Sequence, residues 1–108
     1  MKLAEIKGPT KEFSADLLII YEMKEQNKWG KRIKTVVVVD KDAEQKPGRV
    51  SALLDLYDED VDKYKVEDEI RAINCKADLK WTRNNTVQQP IIGPGYFKGT
   101  FIGRYEKP

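Results

Sequence analysis

Four consecutive valines close the run Ile33-Lys34-Thr35-Val36-Val37-Val38-Val39. β-Branched side chains lose rotamer freedom in a helix and pack well on a pleated surface, so the run reads as a strand. Leu17-Leu18-Ile19-Ile20-Tyr21 has the same character. Lys24-Glu25-Gln26-Asn27-Lys28-Trp29-Gly30 joins the two as a polar hairpin loop. Leu3-Ala4-Glu5-Ile6-Lys7 reads as the start of the first strand, with Gly8-Pro9 marking a bend.

The pattern continues through a charged turn, Asp40 to Gly48, into a third strand at about Arg49 to Leu56. Asp58-Glu59-Asp60 then supplies acids at a helix start, where the macrodipole favours them, and Val61 with Tyr64 is an i,i+3 apolar pair. One or two helical turns are expected between Tyr57 and Lys65. A turn at Lys65-Val66-Glu67-Asp68 leads to a strand from Glu69 to Trp81. There Ile73, Cys75, Ala77 and Leu79 alternate with Asn74, Lys76, Asp78 and Lys80. Thr82 to Gly95 reads as a long loop. Tyr96 to Tyr105 reads as the last strand, with Phe97, Phe101 and Tyr105 on one face and Gly99 and Gly103 at bends.

Strand, strand, strand, short helix, strand, long loop, strand is the order of a mainly-β, five-stranded OB-fold barrel with one short helix between strands 3 and 4. A split meander or an SH3-like barrel gives similar patterns, but the helix position favours the OB reading. At 108 residues the chain is expected to form one domain, 1–108, with a single modest core.

Composition narrows the chemistry. The chain has no histidine and one cysteine. It thus lacks the usual general base and the usual metal ligand, and no intramolecular disulfide can form. We expect no catalytic residues, no metal site and no cofactor, and Cys75 as a buried small hydrophobe. Asp58-Glu59-Asp60 with Asp62 lacks the loop glycine and terminal bidentate Glu of an EF-hand, so helix capping is the expected role. Gly93-Pro94-Gly95 is not a phosphate-cradling loop, because no helix with Lys-Ser/Thr follows. No apolar run approaches the roughly 18 residues that cross a bilayer. The charged N-terminus does not read as a secretory signal. A cytoplasmic protein without membrane contact is the expectation.

Net charge is only +2, but the charges are unevenly spread. Residues 1–39 carry eight bases and five acids, 40–69 five bases and eleven acids, and 70–105 six bases and one acid. A basic face is possible if the middle third folds away from it; otherwise acids and bases interleave and no patch exists. Within the two basic thirds lie Lys28-Trp29-Gly30-Lys31-Arg32-Ile33-Lys34 and Lys80-Trp81-Thr82-Arg83-Asn84-Asn85. A flat ring flanked by cations can stack on a base while phosphates are neutralised, as a single-stranded nucleic-acid groove requires.

Leu54-Asp55-Leu56-Tyr57, followed by Val61-Asp62-Lys63-Tyr64-Lys65-Val66-Glu67-Asp68-Glu69-Ile70, resembles the segment of OB-fold single-stranded DNA-binding proteins that closes the third strand. There a short helix, a lysine-rich turn and an acid precede the fourth strand. Glu67 stands where the family usually has glycine. The compact size is most like a phage-encoded member, whose setting would be a bacterium or a phage-infected host cell. The resemblance implies sequence-independent binding of single-stranded DNA in replication or recombination. The chain stops after the last expected strand, at Arg104-Tyr105-Glu106-Lys107-Pro108, so the acidic recruiting tail of cellular members is not expected.

In an OB barrel the ligand crosses the second and third strands between the strand 1–2 and 4–5 loops. Both Trp-basic stretches fall at those loops. Trp29 is expected to stack on a base, with Lys28, Lys31, Arg32 and Lys34 on phosphates. Trp81 offers a second platform, with Lys76, Lys80 and Arg83 along the backbone, but it continues the apolar face of Cys75, Ala77 and Leu79, which favours a core or barrel-lid role for it. Asn84, Asn85, Gln88 and Gln89 are candidate hydrogen-bonding groups, and Tyr96, Lys98 and Arg104 share a face that extends the path. Tyr57 and Tyr64 are expected to cover the core beside the helix. One barrel covers a short stretch of strand, so a homo-oligomer is expected, with the Val36–Val39 run compatible with an interface. Two alternatives stay open: an RNA-binding barrel, and an adaptor or assembly protein whose Trp and Arg residues anchor a protein partner.

Overall fold

The computed structural model describes residues 1–43, 48–82 and 84–108. Its elements are β1 (Thr10–Glu22), β2 (Gln26–Lys28), β3 (Lys31–Asp40), β4 (Ser51–Tyr57), the short helix α1 (Asp60–Lys63), β5 (Glu69–Trp81), β6 (Gln88–Gly93), β7 (Tyr96–Phe97), β8 (Thr100–Phe101) and β9 (Arg104–Glu106). Five of the strands close a barrel. β1 is antiparallel to β3 and β3 to β4; β4 runs parallel to β6, which is antiparallel to β5, and β5 returns antiparallel to β1. Counting barrel strands alone, the first, second, third, fifth and fourth follow one another around the ring. With α1 between the third and fourth, this is an OB barrel.

Alternation along the strands builds the core. Leu17 and Ile19 of β1, Val36 and Val38 of β3, Ala52, Leu54 and Leu56 of β4 and Ile92 of β6 all point inward and are fully buried. Val61 and Tyr64 close the barrel beside α1, as their spacing predicts. Each buried Val, Leu or Ile among them contributes roughly 1.5–3 kcal/mol by leaving water. Val39 is also buried but lies outside this cluster, and Val37 is half-buried.

Four expectations need correcting. Leu3 to Lys7 does not begin β1; Leu3–Glu5 is a 3-10 turn, and Leu3 and Ile6, three residues apart, plug the core together. The Lys2 amide donates to Glu5 Oε1 at 2.9 Å and the Leu3 amide to Asp40 Oδ1 at 3.1 Å, which satisfies the turn's free donors.

The second correction concerns the fifth barrel strand, which is β6, inside the segment expected to be a loop. Pro90 argues against a central strand, yet the ladder to β4 begins only at the next residue, with Leu53 opposite Ile91.

The third is that Tyr96 to Tyr105 is not one strand. Lys98 and Gly99 both have positive φ, 50° and 86°, and reverse the chain between β7 and β8. Phe97 and Phe101 are therefore exposed, and only Tyr105 enters the core, where its hydroxyl donates to the Asp55 carbonyl at 2.9 Å. β9 then pairs with β5 at Arg71 to Ile73. Gly103 sits so close to β5 that a Cβ there would lie 2.5 Å from the Asn74 carbonyl oxygen.

Fourth, Ile73 does not share the inner face of Cys75 and Ala77. The register against β1 slips at Asn74, whose φ is 55°, so Ala72 and Cys75 become the successive inward residues. Cys75 itself is buried, and burial raises its thiol pKa to about 11. At the turn where the family resemblance expects glycine, Glu67 has a φ of 78°. The glycine-like backbone is present although the residue is not.

Candidate nucleic-acid interface

β2 and β3 form a tight hairpin in which Lys28 pairs with Lys31 across Trp29-Gly30. Both turn residues have positive φ, 52° and 73°, the type I′ geometry that matches strand twist and favours Asn-Gly or Gly-Gly. Gly30 fits that demand. Trp29 does not, and a non-glycine residue there costs about 1 kcal/mol or more. The residue is also 90% exposed. Neither local backbone preference nor core packing explains a tryptophan at this tip. The Lys28 ammonium lies 5.8 Å from its ring centroid.

Beside this hairpin stands an aromatic platform. Phe101 lies 5.3 Å from Tyr57 at the end of β4 and 5.3 Å from Tyr96, the latter edge-on. Lys31 Nζ sits 5.4 Å from the Phe101 ring centroid and 6.0 Å from that of Tyr96, within cation–π range. Tyr57 thus packs against Phe101 of the β7–β8 turn and is not part of the core cluster. Tyr57 and Phe101 are not among the sequence candidates, but a signal for Phe101 is visible: Tyr96-Phe97-Lys98-Gly99-Thr100-Phe101 is a two-residue X-Gly turn with Tyr96 and Phe101 paired across it.

The other cations of this hairpin are committed within the chain. Arg32 donates to Glu25 at 3.0 and 3.1 Å and to Asp62 at 2.8 and 3.0 Å, a two-carboxylate clamp. Hydrogen bonds from Arg32 hold the Asp62 and Glu25 carboxyls below the usual carboxylate range, and the two acids raise Arg32 further above its own. Lys34, with only 14% of its side chain exposed, meets Glu22 at 2.7 Å. Lys31 has a looser contact with Asp58 at 3.6 Å. At this edge the acids beside α1 interleave with the bases instead of folding away from them. These carboxylates serve the chain itself, and no group of three or more potential metal ligands gathers among the described residues.

The second Trp-basic stretch lies at the opposite end of the face. Seven residue pairs, from Ile33–Tyr57 to Val39–Ser51, separate the two ends along the β3–β4 ladder, about 20 Å at strand rise. Trp81 pairs with Gln88 at the tip of the β5–β6 hairpin and is 55% exposed. It is not a barrel lid, because Leu79 is the last residue of this face packed on the core. Lys80, Asn84, Asn85 and Gln88 are exposed around it, and Gln89 donates from Nε2 to Ser51 Oγ at 3.3 Å. Arg83 lies outside the described residues.

Between the ends, the outward positions of the second, third and fifth barrel strands form rows: Ile33–Tyr57, Thr35–Asp55 and Val37–Leu53–Ile91. All are half-buried, and Thr35 donates to Asp55 Oδ1 at 2.7 Å. The face is thus apolar with one tied carboxylate. Lys76 is exposed near Gly95, and Lys98, at the β7–β8 tip, lies 5.4 Å from the Phe97 ring centroid. Arg104 does not share a face with Tyr96 and Lys98, since the turn separates them; it points to solvent 3.9 Å from Glu106.

No family model and no curated protein matches this sequence. Among the described residues no helix is long and apolar enough to cross a membrane.

Proposed function

We propose that this OB barrel binds single-stranded DNA with little sequence preference and without catalysis, as a compact, phage-like member of the OB-fold single-stranded DNA-binding proteins acting in replication or recombination. One observation carries the reading: Trp29, strained in backbone and almost fully exposed, is held between two lysines, of which Lys31 lies over the Tyr57–Phe101–Tyr96 platform. Backbone strain persists where the surroundings over-determine it, and such residues cluster at ligand sites. Stacking of bases on Trp29 and the platform supplies roughly 1–3 kcal/mol each and tolerates any base. Lys28, Lys31, Lys98 and Lys80 neutralise phosphates, whereas Arg32 and Lys34 hold the hairpin in place. Self-association lengthens the tract beyond one barrel. The cytoplasm is the compartment this role requires.

The apolar row Val37–Leu53–Ile91 supports a second reading, a protein partner laid across the barrel. A fluorescence titration with oligo(dT) across a salt series separates the two. Quenched tryptophan emission and affinity that falls with log–log slope near −0.7 per phosphate contact support the strand reading. Silence toward DNA and RNA strands at low salt leaves the protein partner. Competition by oligo(U) reports the preference between DNA and RNA.

A further inference from the structure

Beneath the β7–β8 ribbon lies a cleft of about 290 Å³ whose lining includes Lys11, Asn74, Lys76, Tyr96, Phe97 and Ile102. It is continuous through Lys11, Lys76 and Gly95 with a shallower groove of about 560 Å³ that reaches Asp78, Ile91 and Gly93. Ile91 belongs to the apolar row of the main face, so the groove leads from the ribbon back to the proposed stacking surface.

Two features make this a shaped surface. β1 and β5 carry compensating bulges on either side of the Phe13–Cys75 pair, at Glu12 and Asn74, and both bulge residues have left-handed backbones, with φ of 58° and 55°. Both line the cleft. Bulges of this kind re-aim side chains and are frequent beside functional sites. Here the bulge sets Lys11 and Glu12 together across from Lys76, between the Thr10–Ala77 and Phe13–Cys75 pairs, and Lys11 and Lys76 both line the cleft and the groove. Like charges facing across a ladder are destabilising, and neither lysine has a carboxylate ion pair among the described residues. The acids of the lining are Glu12 in the cleft and Asp78 in the groove; Asp78 accepts its neighbour's amide at 2.7 Å. An anion between the two lysines resolves their repulsion, and the exposed Phe97 ring with Ile102 supplies the flat apolar wall that a base requires.

We propose that this groove is a second tract for the same strand, in which a phosphate sits between Lys11 and Lys76 and the adjoining base stacks on Phe97. The β7–β8 ribbon then straddles the strand, with Tyr96 and Phe101 serving one segment and Phe97 the next. The cleft is near the lower bound of about 300 Å³ for small-ligand sites, room for a single nucleotide unit. The proposal rests on the strand-binding reading and extends it beyond the barrel.

The test compares wild type, Trp29→Ala, Phe97→Ala and a Lys11→Gln/Lys76→Gln pair, binding oligo(dT) of graded length across a salt series. The lysine pair keeps side-chain bulk at exposed positions, and matched melting curves report intact folding. We expect the pair to lower the salt slope by about 0.7, the one phosphate contact it would lose, on long strands and to leave the shortest bound strand unaffected. Phe97→Ala should weaken long strands only, and Trp29→Ala should weaken all lengths. A wild type that binds, with an unchanged slope in the lysine pair at every length, overturns the groove and leaves the main reading intact. A wild type that binds no strand at any salt overturns both.

Discussion

The two tryptophans occupy nearly identical sequence surroundings and quite different structural ones. Each sits among bases with no acid beside it. Trp29 is the first residue of a type I′ turn, in a conformation its side chain disfavours, on a hairpin whose Lys31 reaches a three-ring cluster. Trp81 ends a strand, where aromatic residues fit the pleated surface, and no aromatic ring contacts it among the described residues. The backbone is indifferent to Trp81 and opposed to Trp29. Local composition proposes a site; the conformational cost of keeping a residue where it is discriminates between two candidates of equal composition.

The sharpest way to break the comparison is to remove the support of one end only. Gly103→Ala places a Cβ against the backbone of Asn74, which has no flexible side chain to yield. The strap that carries β7–β8 and Tyr105 must shift, at about 1–3 kcal/mol of folding stability by denaturant titration. Strand affinity at the Trp29 end should fall with it, while Trp81 emission stays unchanged in a Trp29→Phe background. A variant as stable as wild type would show that the ribbon does not depend on that approach.

Direct truncation comes next. Trp29→Ala should lose roughly 1–3 kcal/mol of binding to oligo(dT), and Trp81→Ala should fall at or below the low end of that range. Lys63→Ala, on α1, is the control and should change little. Equal losses at the two tryptophans would end the distinction between them. Stability should move the other way: Trp29→Asn places a favoured residue in the left-handed turn and should gain up to about 1 kcal/mol, whereas Trp81→Asn, in a strand, should lose stability. A thermal melt of the two variants reads both signs.

How much of this was legible beforehand depends on the range of the forces involved. The Val36–Val39 run, the α1 pair Val61 and Tyr64, and the alternation through Cys75 and Ala77 announce the barrel because strand pattern and burial act over a few residues. The slip at Asn74 is invisible, since it is set by β1 across the ladder, and with it goes the inward placement of Ile73. Pro90 hides β6 because proline is a sound argument against a central strand, and only the late start of the β4 ladder accommodates it. Lys98-Gly99 is a local turn signal, and because the chain reverses there Phe97 and Phe101 do not share a strand face with Tyr105. The basic cluster around Trp29 was legible as composition, but the sequence does not say that Arg32 is tied to Glu25 and Asp62, seven and thirty residues away.

That clamp supplies the smallest effect and the finest test of the contrast between the ends. Hydrogen bonds from Arg32 hold Asp62 and Glu25 below the ordinary carboxylate range in the folded chain. A depressed folded pKa contributes stability above the unfolded value, near 4, and that contribution is lost as pH falls through the depressed values. Arg32→Ala should therefore be less stable than wild type at neutral pH, with the difference shrinking on acidification below about pH 4. Lys80→Ala, at the Trp81 end, removes a cation with no carboxylate partner among the described residues, so its melting curve should track wild type at every pH. In binding the order should reverse: Lys80→Ala should lower the salt slope by about 0.7 and Arg32→Ala by less. Parallel acid limbs for Arg32→Ala and wild type would return Arg32 to the set of free cations, and the Trp29 hairpin would then carry its charge for the ligand rather than for its own shape.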